Sequence, residues 1–205
     1  RQLGAGGAYL GQRVAARLGY TYLDREILRQ AAKAVGAQEE DLSRWDEHIS
    51  RFWDRLMDAF RAGPPELLMS PGPPAAVRDS RLFEVESRVI RAMAQRHDVV
   101  VIGRGGFHIL RDQPGLVRVF LHAPPSVRAS AMQKEYGLTE QQARQMIERV
   151  DSERDRFQRE MCGCAMADAL SYDLCLDTDR VGLKRAKQMI LDLTGHVRQR
   201  LYPPQ

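Results

Sequence analysis

Three glycines that precede a helical pattern make the start of the chain the best candidate for chemistry. Gly4, Gly6 and Gly7 leave the backbone free to curl its N–H groups around phosphate oxygens. The apolar spacing that begins at Leu10 predicts a helix over residues 8–19, and an anion is stabilised at the positive N-terminal end of a helix dipole. The predicted phosphate-binding residues are Gly4, Ala5, Gly6, Gly7, Ala8 and Tyr9.

This loop departs from the usual phosphate-binding pattern G-x-x-x-x-G-K-[ST] at two positions. Gly7 stands where the lysine would stand, and the following Ala8 and Tyr9 offer no Ser or Thr hydroxyl for Mg²⁺. A glycine-rich turn before a helix also occurs as an ordinary tight connection. The loop alone therefore leaves both interpretations open.

Polar residues follow two predicted strands directly. The β-branched run Asp98–Gly103 is typical of a buried parallel strand, and Arg104 comes next within Gly103-Arg104-Gly105-Gly106. Asp24 and Arg25 follow the short predicted strand 20–23, where Asp24 also suits the N-cap of the next helix. Because ligands of α/β sheets bind at the carboxyl ends of the strands, these side chains are predicted to face one crevice.

Strands alternate with helices along the rest of the chain. Further strands are predicted over 116–121 and 172–177, and further helices over 25–35, 79–96, from Pro124-Pro125 onward, from the Thr139–Gln142 capping box toward 160, and over 183–198. This order predicts an α/β three-layer fold with a parallel sheet. Residues 39–62 are predicted to form an amphipathic helix or a pair of helices, and 63–74 a flexible proline-rich loop. A strand normally leads into a phosphate-binding loop, and we expect one ahead of Arg1.

The composition limits the classes of function. A chain of 205 residues fits one domain, and a net charge of +4 suits an anionic ligand but is too weak to indicate nucleic acid. Its positive charge is almost all arginine, which binds phosphate bidentately, although a GC-rich genome explains such a bias equally well. Three cysteines are too few for a disulfide framework, which favours a reducing cytoplasm. No apolar run approaches the roughly 18–20 residues of a membrane span.

The stretch 149–159 holds four arginines and three acids on one predicted helix. Pairs such as Asp151–Arg154 at i,i+3 suit a solvated face. The alternative is a lid whose arginines close over transferring phosphates and neutralise charge in the transition state.

The order of these pieces resembles cytidylate kinase. The pieces are the glycine loop and helix, Leu18-Gly19-Tyr20-x-Tyr22-Leu23-Asp24, Val-Ile-Gly-Arg, Phe-Leu-His-Ala-Pro-x-x-x-Arg, the Arg/Asp-rich stretch and Tyr-Asp-Leu-x-Leu-Asp-Thr. The chain is most similar to the divergent cytidylate kinase-like branch of the P-loop nucleoside monophosphate kinases. The resemblance runs from Arg1 to about Leu193, and the order and spacing of the motifs are more specific than any one of them.

The resemblance implies a single three-layer P-loop NTPase domain over 1–205, with a helical NMP-binding-type insertion at 37–80 and an arginine-rich helical lid at 138–165. It also implies an ATP-dependent transferase that uses Mg²⁺ and phosphorylates a nucleoside monophosphate, with CMP or dCMP favoured, or a related small acceptor. No protein metal ligand, nucleic acid or membrane is expected, and monomer and homodimer both stay open. The implied catalytic residues are Arg149, Arg154, Arg159 and Asp151, and the implied acceptor-binding residues are Asp24, Arg25 and Arg104.

The chain also departs from that family pattern. The Asp-Ser-Gly motif becomes Asp24-Arg25-Glu26, and Gly-Arg-Asp becomes Gly103-Arg104-Gly105. Without the loop lysine, Arg25 or a lid arginine is expected to supply the missing charge. A rival hypothesis is a non-catalytic nucleotide sensor that retains the kinase fold, and a weaker one is an oligomerisation module built on 39–62.

Overall fold

The computed structural model describes residues 1–35 and 80–203, and the side chains of 1–31 and 82–203. Of the predicted insertion at 37–80, residues 37–79 lie outside the described residues, and with them the amphipathic stretch 39–62 and the proline-rich loop 63–74.

Helices and strands alternate through both described parts. The first part contains α1 (Gly7–Leu18), β1 (Thr21–Leu23) and α2 (Arg25–Val35). The second contains α3 (Ser80–Arg96), β2 (Val99–Val101), α4 (Gly106–Ile109), β3 (Val119–His122), α5 (Pro125–Tyr136), α6 (Glu140–Cys162), β4 (Leu174–Asp177) and α7 (Thr178–Leu201). The predicted order of elements is confirmed within these ranges, except that the short helix α4 was not predicted.

The described strands form two parallel pairs. β1 pairs with β2 from Thr21 opposite Val99 to Leu23 opposite Val101. β3 pairs with β4, with Val119 opposite Leu174. Because parallel neighbours need a crossover connection, both pairs are joined through helices, as in α/β proteins. The predicted α/β class with parallel strands is confirmed.

Helices cover these strands with apolar faces. On the β1–β2 pair, Leu23 of β1, Leu28 of α2 and Ile90 of α3 are fully buried in one cluster. On the β3–β4 pair, a second cluster joins Leu10 of α1 to Ala186 of α7. The two clusters fix the helices against the strands and thereby the loops that follow them.

Side-chain caps determine where several helices begin. The Thr139 hydroxyl accepts the Gln142 N–H at 3.3 Å, and the Gln142 side chain accepts the Thr139 N–H at 2.9 Å, so the predicted capping box is confirmed. Asp24 Oδ1 accepts the N–H groups of Glu26 and Ile27, which confirms it as the N-cap of α2. These caps hold the ends of the helices that border the site.

The last helix begins five residues before its predicted start at Leu183. Asp177 Oδ1 accepts the N–H groups of Asp179 and Arg180 and so begins α7 at Thr178. Gly182, at φ 71°, interrupts the helical backbone, and the regular amphipathic pattern resumes only after it. The apolar periodicity of the sequence therefore predicted only the part of α7 that follows Gly182.

Within 1–35 and 80–203, no helix combines the length and the apolar character that crossing a bilayer requires.

Candidate functional site

The glycine loop lies at the carboxyl end of β3. The Gln2 N–H donates to the Leu121 carbonyl at 3.0 Å, which fixes the start of the chain beside that strand. Gly4 and Gly6 then take φ values of 78° and 74°, a left-handed backbone that favours glycine. A Cβ atom on Gly4 would also lie only 2.9 Å from the Arg128 carbonyl oxygen. The turn therefore needs glycine for its conformation and, at Gly4, for the close approach of α5.

The N-terminus of α1 opens from this turn without a side-chain cap. Gly6 is the N-cap and has no side chain to accept the first-turn N–H groups, while the first helical bond runs from the Leu10 N–H to the Gly6 carbonyl at 2.9 Å. The first N–H groups of a helix have no partner within the helix. At α1, they are available to an anion.

A buried ion pair holds the loop against α5 and α6. Arg128 donates from Nε to the Ala123 carbonyl at 3.0 Å and from Nη1 to the Leu3 carbonyl at 3.2 Å. The same Nη1 contacts Asp151 Oδ2, and Asp151 Oδ1 accepts the Leu3 N–H at 2.8 Å. Asp151, predicted as a catalytic acid, is thus part of the clamp that positions the loop.

Arg154 brings positive charge from α6 to the glycine loop. Its Nη1 donates to the Arg1 carbonyl at 3.2 Å and lies 3.8 Å from Asp151 Oδ1. Burial, reinforced by the charge of Arg1, lowers the pKa of Arg154 to about 10. Because Asp151 already accepts from Leu3 and Arg128, the positive charge beside the loop is only partly balanced.

A second group of arginines surrounds Glu86 at the carboxyl ends of β1 and β2. Arg104, at φ 55°, donates from Nε to Glu86 Oε2 at 2.7 Å, and its guanidinium carbon lies 5.2 Å from the centre of the Phe157 ring on α6. Burial is the main reason why the pKa of Arg25 is lowered. Arg25 is also close enough to Arg104 and Glu86 for their charges to act on that pKa. Burial raises the pKa of Glu86 against the opposing effects of Arg104, Arg25 and Arg29. Arg104 pairs with Glu86, and the charges of Arg25 and Arg29 act on the same carboxylate, so arginine side chains are concentrated at the carboxyl ends of β1 and β2.

Both groups border one cleft, and they are close enough for the charge of Arg25 to act on the pKa of Arg154. The predicted residues that line it are Gly4, Ala5, Gly6, Gly7, Ala8, Tyr9, Asp24, Arg25, Arg104 and Arg154. Arg149 and Arg159 are exposed and lie outside this lining, and Arg159 donates to Asp155 at 2.7 Å. The structure thus brings together the loop, the predicted acceptor residues and two arginines of the stretch 149–159, Arg154 and Arg156.

Three residues that line or support this cleft were not assigned a role from the sequence. Glu86 is 1% exposed, and a charged residue on the apolar face formed by Leu82, Val89 and Met93 is the signal that could have revealed it. Arg128 belongs to the Phe-Leu-His-Ala-Pro-x-x-x-Arg motif, but nothing in that pattern indicates its clamp. Arg1 lies three residues before Gly4, and the position of its side chain depends on tertiary contacts.

We expect an anion at the N-terminus of α1. A crystal grown with sulfate or ATP should contain an anion oxygen about 2.7–3.2 Å from the amide nitrogen of Gly6, Gly7 or Ala8. The uncapped helix N-terminus is the physical reason. The variant Gly6→Ala is the matched control, because its Cβ would lie 2.6 Å from Leu183 Cδ2 on a left-handed backbone and should displace the loop. An anion absent from the wild-type loop, or equally bound by both proteins, would contradict this prediction.

Parallel strands, alternating helices and a glycine-rich loop at the carboxyl end of a strand define a kinase-like α/β fold. The model of the cytidylate kinase-like family matches residues 1–180, and the chain belongs to this family.

Two individual proteins are similar to this chain, one in sequence and one in structure. A cytidylate kinase of Methanopyrus kandleri is 34% identical over 107 residues, which are 48% of this chain and 54% of the relative, so the match spans about half of the relative's length. The crystal structure of an uncharacterized protein from Eubacterium ventriosum superposes with a TM-score of 0.70 at 18% identity. It covers 95% of this chain and 94% of its own, and it supports the fold alone.

Proposed function

We propose that this protein transfers the γ-phosphate of ATP to a nucleoside monophosphate, with CMP or dCMP as the favoured acceptor. The observation that carries the proposal is the presence of two arginine groups on one cleft, one at the glycine loop and one around Glu86. A phosphoryl transfer needs a donor site and an acceptor site that are both positively charged. The cytosine preference rests on the family and on the curated relative from Methanopyrus kandleri.

In this proposal the donor phosphates bind at Gly4–Tyr9. The N–H groups at the start of α1 hold phosphate oxygens, and the clamp of Arg128 and Asp151 keeps the loop in place before the nucleotide arrives. Such preorganised donors require no rearrangement during the reaction. Arg154 adds a guanidinium that neutralises the charge of the transferring group.

The acceptor monophosphate binds on the opposite side, at Asp24, Arg25 and Arg104. Glu86 fixes the Arg104 fork, so that its remaining donors meet the phosphate in a defined orientation. The remaining lid residues, Arg149 and Arg159, lie on α6 together with Phe157, which packs on Arg104. A closing motion of α6 is proposed to exclude water and bring donor and acceptor in line.

Mg²⁺ is the metal that this reaction requires. The residues present could hold it through a single carboxylate and its bound waters, together with the phosphates. Within the described residues, no group of three or more His, Cys, Asp or Glu side chains could hold a metal ion. Asp24 caps α2 through Oδ1 and is the carboxylate that would hold a metal-bound water, and its charge acts on Arg1 beside the loop. Mg²⁺ is commonly held by phosphates and waters with one or two carboxylates. When bound, it neutralises charge on the β- and γ-phosphate oxygens.

The test is a combined screen of the protein with ATP–Mg²⁺ against CMP, dCMP, UMP, AMP and GMP. Melting temperature reports binding, and coupled release of ADP reports transfer. At a ligand concentration of 100 Kd, binding stabilises the folded state by about 2.7 kcal/mol. We expect ADP release with CMP or dCMP and its loss when EDTA removes Mg²⁺.

The outcomes separate the hypotheses. ADP release that depends on one monophosphate supports the proposal and identifies the acceptor. A rise in melting temperature with ATP but no transfer to any monophosphate supports a nucleotide-binding protein without this activity. No binding of ATP would overturn the proposal.

A further inference from the structure

The position of Arg1 explains how the glycine loop works without its lysine. A Cβ atom on Gly7 would run into the Arg1 side chain, whose Nε lies 2.8 Å and whose Cγ lies 3.1 Å from that point. Arg1 therefore crosses directly over the residue that occupies the lysine position. Gly7 lies within α1 and has ordinary helical backbone angles. Glycine is therefore not needed there for a left-handed conformation, and its missing side chain leaves room for Arg1.

The Arg1 guanidinium extends from the loop toward the second glycine turn. Its Nη1 lies 2.8 Å from the point that a Cβ atom on Gly103 would occupy, and Gly103 directly precedes Arg104. Arg1 also lines the same cleft as the loop. The guanidinium thus lies between the proposed donor and acceptor sites, where a transferring phosphate would be held.

The described residues balance the charge of Arg1 only in part. Within the described residues, its guanidinium has no ion pair or hydrogen bond. The charges of Tyr22 and Asp24 act on it, and burial outweighs them and lowers its pKa. Asp24 at the same time caps α2. Arg1 and the neighbouring Arg154 therefore leave a cationic surface that an anion would balance.

We propose that Arg1 binds the donor phosphates in place of the missing lysine, and that Gly7 provides the space that this arginine needs. A lysine at position 7 and the observed Arg1 would occupy the same volume, so the two solutions exclude each other. A guanidinium offers several N–H donors in a rigid fork and can bind two phosphate oxygens at once. This inference rests on the proposed ATP site at Gly4–Tyr9.

Calorimetry with Mg²⁺–ATP on wild type, Arg1→Ala, Gly7→Lys and the double variant tests the exchange of the two cations. We expect Arg1→Ala to weaken ATP binding about 10- to 150-fold, the range for loss of a charged hydrogen bond. Gly7→Lys alone should also weaken binding, because the new side chain competes with Arg1 for the same volume. In the double variant, the lysine should restore at least tenfold of the affinity that Arg1→Ala loses.

Two further variants keep the test decisive if a position 7 variant fails to fold. Arg1→Lys retains the charge and should bind ATP more tightly than Arg1→Gln, which removes it. Arg17→Gln is the matched control, since Arg17 is exposed in the last turn of α1 and lies outside the cleft lining. Its affinity should equal that of wild type.

The failures are distinguishable. If wild type binds no ATP, the proposed function and this inference both fall. If wild type binds ATP and Arg1→Ala or Arg1→Gln binds it as tightly, only the role of Arg1 is overturned. A double variant no better than Arg1→Ala would likewise overturn the exchange of the two cations.

Discussion

Replacing Arg104 by alanine is expected to lower the free energy of unfolding by about 3–5 kcal/mol, since it leaves a buried carboxylate without its partner. Glu86 is 1% exposed and Arg104 is 11% exposed, so water cannot replace the lost contact. The same substitution should weaken the acceptor monophosphate about 10- to 150-fold, corresponding to roughly 1.5–3 kcal/mol for a charged hydrogen bond. Urea unfolding and calorimetry measure the two effects.

A double variant separates the structural role of Arg104 from its role in binding. Replacing both members, as in Glu86→Leu with Arg104→Met, removes the uncompensated charge and should recover most of the stability. The acceptor affinity should stay low, because the guanidinium is absent, while the ATP affinity should remain near that of wild type. Recovery of acceptor binding together with stability would show that Arg104 only supports the fold.

Replacing Arg154 by glutamine is expected to lower the rate of phosphoryl transfer on the order of 10²-fold or more. Arg154 is the predicted lid arginine that reaches the glycine loop, where it donates to the Arg1 carbonyl. Glutamine preserves one donor but removes the charge that would meet the transferring phosphate. Coupled ADP release measures the rate, and a thermal melt of the same sample measures folding.

A second arginine on α6 provides the control. Arg144 is half exposed and pairs with Glu140 away from the cleft, so Arg144→Gln should change stability by about 0–1 kcal/mol and leave transfer unaffected. Equal effects of the two substitutions would contradict a specific role of Arg154. Arg159→Gln reports on closure: a large loss of transfer would mean that α6 moves, because Arg159 lies outside the cleft lining in the present structure.

Local sequence signals predicted most of the described elements. The capping box at Thr139, the cap at Asp24 and the β-branched run before Gly103 each depend on neighbouring residues alone, and all three correspond to the observed element starts or strands. The prediction for the last helix began at Leu183 and missed the cap at Asp177. Its first turn is short and ends at Gly182, so it leaves no periodic signal.

The sequence indicated some of the residues that line the cleft and not others. The physical reason differs from residue to residue. Asp24 directly follows β1 and Arg104 comes three residues after the end of β2, and the pairing of these strands places their carboxyl ends together, as strand order predicts. The register of α6 relative to the loop cannot be predicted from strand order, because contacts between elements far apart in sequence determine it. Arg154 therefore lines the cleft, whereas Asp151 clamps the loop and Arg149 is exposed.

The amino-acid sequence by itself determined the α/β class, the order of elements, the family and the glycine turn ahead of α1, because each rests on local spacing or on the order of motifs. Only the tertiary structure decided which charges meet. The burial of Glu86 beside Arg104 and the course of Arg1 over Gly7 depend on side chains from separate elements that pack within a few ångströms. Sequence shows that the lysine is missing, but the fold alone shows which arginine occupies the space left at Gly7.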